Sequence, residues 1–260
     1  MYYLETKIMH LNISDVKGEQ AEEGVHERLL LKPDDTKHHN LIVKHLTVKP
    51  GSVVHFKDQN VEYQHYVVSG CAMWSYGNRY LHTDTAIFVP GTRGIHSMTA
   101  AGESDLHLLT HIYKVPRKPF RWAKARAFHL YQSQYVNTGI TTAWQLITEE
   151  QHAVMGAYRM HALDVQLTPP NCALPSHKNP EETMYFLRGE GEALSEDIRH
   201  KVRPGSFIYT PVDANHGIYN THTSIPLEYL VIEFIEHDKA WTERGYQAPS
   251  LTHQKSENYL

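Results

Sequence analysis

The chain has 260 residues, long enough for two ordinary domains that each bury a core. Its formal charge of −4 comes without long like-sign runs, so there is no electrostatic reason to expect nucleic acid or an anionic membrane as the main partner; a small molecule is the expected one. The two cysteines, Cys71 and Cys172, are too few for a disulfide framework or a cysteine-based zinc site and are read as reduced.

The N-terminal stretch MYYLETKIMHLNISDVKGEQ has acidic residues where a signal peptide needs an apolar core. No later segment approaches the roughly 20 apolar residues of a membrane span, so the expected location is the cytoplasm. Residues 1–35 form an N-terminal arm, in which VHERLLLK has the look of a strand that covers a sheet edge, either on a partner in a homodimer or on its own barrel. Removing residues 1–35 is therefore expected to expose an edge and lower solubility.

Residues 36–115 read as a first β-barrel. Its strands are expected at Leu41–Val48, Val53–Phe56, Tyr63–Val68, Ala86–Val89 and Leu106–Tyr113, each rich in β-branched or aromatic residues and punctuated by Gly51, Gly70, Gly77 and Pro90-Gly91. Residues 116–150 are a linker and crossover, whose basic, aromatic stretch lacks clean alternation. Residues 151–236 read as a second barrel, with strands at Ala157–Leu167, Met184–Leu187, Phe207–Tyr209 and Leu227–Ile235. Residues 237–260 are a tail with a short helix expected over Asp238–Tyr246.

The second barrel repeats the first. VVSGCAMWSYGNRYLHTDTAIFVPGTRGIH and FLRGEGEALSEDIRHKVRPGSFIYTPVDANH both run from an apolar strand ending in Gly, through a hairpin, to a strand ending in Pro and then a His. Gly70 and Pro90 are 20 residues apart, Gly189 and Pro211 are 22 apart, and the difference fits within one hairpin loop.

The chemistry concentrates in LPSHKNPEETMYFLRGEG and RPGSFIYTPVDANHGIYN. Glu182 precedes Gly189 by seven positions, Gly205 precedes Pro211 by six, Pro211 precedes His216 by five, and Asn220 follows four later. On these intervals the chain resembles the cupin superfamily, with His177 matching the second histidine of the first cupin motif. The position of that motif's first histidine is Pro175, a departure that leaves two histidines and one carboxylate. The resemblance implies an all-β chain of two tandem cupin barrels (double-stranded β-helix, jelly-roll) with little helix.

It further implies one divalent metal held by His177, Glu182 and His216 in the second barrel. Ligands on adjacent strands point into one interior because side chains alternate with a period of two. Two histidines and a carboxylate leave about three positions open on a six-coordinate ion, which favours Fe(II), with Mn(II), Ni(II), Co(II) or Zn(II) accepting similar donors.

The first barrel offers a second candidate set in His55, His65 and His96, but the residue seven before Gly70 is Tyr63, with Glu62 and His65 beside it. This barrel either binds a metal through those histidines or is degenerate, and the degenerate role is preferred. Tyr185, Tyr209 and Tyr219 are candidate pocket residues that would orient a substrate, although aromatic residues are also the usual filling of small barrels. His107, His111 and His161 lie on expected strands and would line either barrel. No residue is assigned a catalytic role.

The resemblance does not name a reaction, because one fold hosts many chemistries. The first expectation is a non-haem Fe(II) dioxygenase acting on a small metabolite. A redox-neutral Mn(II)-type enzyme, an aminohydrolase, isomerase or decarboxylase, is the alternative, since length and tandem arrangement look like the ureidoglycine aminohydrolase group of bicupins. A non-catalytic metabolite-binding cupin is the third, and its signature would be loss of ligands in both barrels.

Overall fold

The structure, a computed structural model, describes residues 8–36, 41–58, 60–91, 95–115, 124–137, 141–155, 157 and 160–234. Each barrel is a seven-stranded antiparallel sheet folded over a four-stranded one. In the first barrel the large sheet runs Arg126–His129, Thr85–Val89, Val61–Ser69, Leu106–Lys114, Leu41–Val48, Val25–Leu31, Glu19–Glu22, and the small one Val53–Phe56, His96–Ala100, Cys71–Trp74, Arg79–His82. In the second the large sheet runs Met9–Asn12, Ser206–Thr210, Glu181–Arg188, Leu227–Phe234, Met160–Thr168, Thr142–Ile147, Gln134–Asn137, and the small one Ala173–Lys178, Asn215–Tyr219, Gly191–Ser195, Ile198–Val202.

Two strands sit in the barrel they do not belong to by sequence. Met9–Asn12, from the arm, pairs with Ser206–Thr210 of the second barrel, and Arg126–His129, from the crossover, pairs with Thr85–Val89 of the first. Each covers an edge that would otherwise present open backbone groups. The first strand of the arm thus covers the far barrel of the same chain, whereas Val25–Leu31, the strand of VHERLLLK, pairs with Leu41–Val48 of its own barrel. Asn12 ties the first strand down by donating to the Pro204 carbonyl at 3.3 Å and to Ser206 Oγ at 3.2 Å.

Deleting residues 1–16 is accordingly expected to uncover the Ser206–Thr210 edge, lower the melting temperature and promote association. Size-exclusion chromatography and a melting curve check this, and a deletion variant unchanged in both would refute the assigned role of the arm.

Strand alternation sorts the buried residues into three cores. Val54, Phe56, Tyr63, Trp74, Ile87 and Met98 fill the first barrel, and Met184, Phe186, Ala193, Ile208, Ile218 and Val231 fill the second. A third core takes the opposite faces of the same strands, with Tyr66, Phe88, Leu109 and Tyr113 from one barrel against Tyr185, Phe207, Tyr209, Leu230 and Phe234 from the other. This apolar seam joins the barrels more tightly than the polar contacts common between domains.

The expected strands are all present, some lengthened by up to three residues at their ends, except that the strand expected from Ala157 begins at Met160 and that Ile235, the expected end of the last one, lies outside the described residues. Apart from Val53–Phe56, the short strands of the small sheets were not expected, nor was the helix Glu149–Met155. Gly191–Ser195 and Ile198–Val202 have one solvated face, so charged residues interrupt any apolar run. The helix expected at Asp238–Tyr246 lies outside the described residues. Among the described residues no helix is long and apolar enough to cross a membrane.

Candidate metal centre

His177, Glu182 and His216 come from three strands and meet inside one end of the second barrel. His177 pairs directly with His216 across the small sheet, which brings their rings to 4.4 Å between centroids. Glu182 shares its strand face with Met184 and Phe186, so it points into the same interior. Its Oε1 lies 2.6 Å from His216 Nε2, and Oε2 accepts from Asn179 Nδ2 at 3.2 Å.

Backbone carbonyls orient both imidazoles. His177 Nδ1 donates to the Pro175 carbonyl at 2.8 Å, and His216 Nδ1 donates to the Ala214 carbonyl at 3.0 Å. With Nδ1 holding a proton, Nε2 is the atom each ring offers to the interior, the tautomer that metal-binding histidines need. Pro175, which stands where a first cupin histidine is expected, supplies the carbonyl that sets His177.

Electrostatics separate the two histidines. Burial works against charge on His216, but the hydrogen bond and charge of Glu182 outweigh it and raise its pKa. His177 is lowered, first by burial and then by the neighbouring His216. Glu182 Oε1 and His216 Nε2 thus form a close, favourable contact. Among the described residues, no group of three His, Cys, Asp or Glu side chains stands at the spacing of an ion site.

The donor types are nonetheless those that divalent ions take. Two imidazoles whose Nδ1 atoms are bonded to backbone carbonyls and one buried carboxylate face one interior.

A ring of further carboxyls surrounds this end and was missed in the sequence. Glu233 sits directly opposite Glu182 in the strand pairing and lies on the same face as Tyr229 and Val231. Burial, followed by the charges of Glu182 and Asp164, raises its pKa to about 8. Burial likewise raises Asp164 to about 7. His161 lies 3.9 Å from Glu233 and 3.8 Å from Glu149. The available signal was alternation: Leu227, Tyr229, Val231 and Glu233 occupy one face of a strand whose other face is Glu228, Leu230, Ile232 and Phe234.

Both carboxyls bind protons in the folded chain at pH values where the unfolded chain has released them, so stability falls as pH rises. For chelator-treated protein the expected loss spans about pH 4 to 8, with a slope of about 1.4 kcal/mol per pH unit for each proton retained. Urea unfolding across that range checks it, and Glu233→Gln should flatten the upper part of the curve.

The candidate pocket tyrosines do not face this interior. Tyr185 and Tyr209 occupy the alternate face and lie in the seam between barrels, where Tyr209 donates to Glu181 Oε1 at 2.6 Å. Tyr219 points away as well, with the Arg199 guanidinium 4.3 Å above its ring. His111 faces the seam too, 2.9 Å from Thr183 Oγ1.

In the first barrel, register decides the outcome. His96 pairs with Phe56 as His216 pairs with His177, so Phe56 takes the place of the first ligand, and Tyr63, seven before Gly70, takes that of Glu182. His55 is one residue off and points outward, bonding Glu22 at 2.6 Å through Nδ1. His65 and His96 do meet, with 2.9 Å between their Nε2 atoms, beneath Phe56 and Tyr63. Burial, then His96 and His111, lowers His65 far enough to keep it neutral. The candidate set of His55, His65 and His96 is therefore not assembled, because a one-residue offset on a strand reverses the side chain.

The chain folds as two tandem jelly-roll barrels, and the second ends in this histidine–glutamate–histidine arrangement. Residues 164–233 match the cupin domain family (Cupin_2), which places the family's sequence pattern in the second barrel. No curated protein matches the chain in sequence.

Solved structures share the fold across both barrels. A Pseudomonas aeruginosa protein assigned as glyoxylate-induced superposes with a TM-score of 0.73 at 12% identity, covering 91% of this chain and 90% of its own. YlbA of E. coli gives 0.70 at 11%, covering 90% and 93%. An oxalate decarboxylase of Lactobacillus farciminis gives 0.66 at 16%, covering 86% and 85%.

Proposed function

We propose that the chain is a metal-dependent bicupin enzyme that moves protons on a small carboxylate-bearing metabolite without net redox change, using the His177–Glu182–His216 end of the second barrel. The observation that carries this reading is Glu233, a partly buried carboxyl opposite Glu182 whose pKa is raised to about 8. A carboxylic acid tuned toward neutrality is suited to give a proton to a developing carbanion or leaving group and to take one back.

His177, Glu182 and His216 would hold the ion, which when bound supplies Lewis-acid charge to an anionic substrate. Asn179 fixes the second oxygen of Glu182. Met184, Phe186, Ile208 and Ile218 form the dry floor that keeps water from the reacting group. The oxalate decarboxylase among the similar structures supports a short carboxylate as the substrate class.

The donor set itself favours a second reading, an Fe(II) dioxygenase, since two histidines and one carboxylate leave room for both substrate and dioxygen. The deciding experiment is a screen of short carboxylic acids with metal-loaded protein, run with and without dioxygen. Turnover that persists without dioxygen and falls about 100-fold or more in Glu233→Gln supports proton-transfer chemistry. Dioxygen consumption in step with product would put the dioxygenase ahead.

A further inference from the structure

A cavity of about 250 Å³ opens between the barrels, away from the His177 end. Ile13 of the arm, His45, Val68 and His107 of the first barrel, and Tyr185 and Pro204 of the second are among its lining residues. The His45 ring lies 5.4 Å from that of His107 and stacks on Tyr185 at 6.2 Å. Arg28 pairs with His45 across adjacent strands, and a Cβ on Gly18 of the arm would lie 3.6 Å from its Cζ.

We propose that this cleft binds a small anion, a carboxylate or phosphate group, between Arg28, His45, His107 and Tyr185.

Two atoms call for such a ligand. His45 is 2% exposed, and its Nδ1 has no hydrogen-bond partner among the described residues. The Nε atom of the half-buried Arg28 is also out of reach of water and without a hydrogen-bond partner among the described residues. A guanidinium and an imidazole that lose water without gaining a partner are each costly, and the cost is relieved by one acceptor that both can reach.

The charge balance points the same way. Asp105, the carboxylate whose charge acts on His107, is already paired with Lys49 at 2.9 Å. His45 is held near pKa 3, by burial first and then by His107 and Arg28, so it is a neutral partner in the cleft and the Arg28 guanidinium supplies the positive charge that an anion would neutralise. Arginine's planar fork suits the paired oxygens of a carboxylate or phosphate. Ile13, Val68 and Pro204 make the remaining wall apolar, which fits a short organic acid.

The test uses the full chain and two probes, inorganic phosphate and malonate, titrated calorimetrically at constant ionic strength against wild type, Arg28→Gln, His45→Gln and His216→Ala. Saturable binding of either probe is expected in wild type. It should weaken at least about tenfold in Arg28→Gln and His45→Gln, the loss of one charge-assisted hydrogen bond, and stay unchanged in His216→Ala. Bound anion should also raise the wild-type melting temperature by several degrees.

Arg28 is only half-buried, so its variant is expected to fold even if His45→Gln does not. Equal affinity in Arg28→Gln, or no saturable binding in wild type, overturns the proposal. Binding lost only in His216→Ala also overturns it, by placing the anion at the candidate metal centre.

Discussion

His216→Ala is expected to strip the protein of its divalent ion. Elemental analysis of wild type purified without added metal or chelator should give about one equivalent, and the variant essentially none. The expected loss of affinity exceeds the roughly 10–100-fold seen when only an outer partner of a ligand is removed, because one of three donors goes. It also leaves Glu182, 1% exposed, without the imidazole 2.6 Å from its Oε1.

Asn179→Ala provides the graded comparison. It frees Glu182 Oε2 and should weaken binding only within that 10–100-fold range. A His216→Ala protein that retains a full equivalent would sink the ligand assignment, whereas a second equivalent in wild type would reopen the His65–His96 pair as a site.

Gly189→Ala should be among the most damaging single changes in the chain, costing about 3 kcal/mol. Gly189 has φ +80°, where a side chain costs about 1–2 kcal/mol in conformation alone. Its Cβ would also stand 2.4 Å from the Pro226 carbonyl oxygen and 3.1 Å from Leu227 Cα, so backbone must move, and the backbone in question begins the strand that carries Glu233. Gly70 repeats the arrangement in the first barrel, with φ +89° and Asp105 O at 2.7 Å.

Gly51→Ala isolates the two contributions. Its φ is +77°, but nothing lies within 4 Å of a Cβ there, so only the conformational cost should appear. Urea unfolding of the three proteins settles the matter: Gly189→Ala unfolding at the same denaturant concentration as Gly51→Ala would show that the strand end has room to yield.

These two glycines explain why so much of the fold could be read along the chain. The Gly–hairpin–Pro–His interval recurs because each barrel closes its sheets through the same tight approach, and tight approaches leave glycine behind. His177, Glu182 and His216 were legible for a related reason, since their separations place donors on adjacent strands at one end of a barrel. Asn220 completed the pattern without being chemical: its Nδ2 donates to the Thr168 and Ile225 carbonyls, both at 2.9 Å, and so ties the loop that follows the site.

By itself, then, the sequence determined that the chain is all-β, that it is built twice, and that one copy carries two histidines and a glutamate at barrel spacing, because these are properties of local alternation and turn chemistry. Only the tertiary structure decided the rest. Pairing register put Phe56 rather than His55 opposite His96, and strand faces turned Tyr185 and Tyr209 into the seam. Packing of distant strands raised Glu233, and the arm crossed to the far barrel. Each of these depends on which residue lies across from which, and a strand shifted by one position exchanges its inside for its outside.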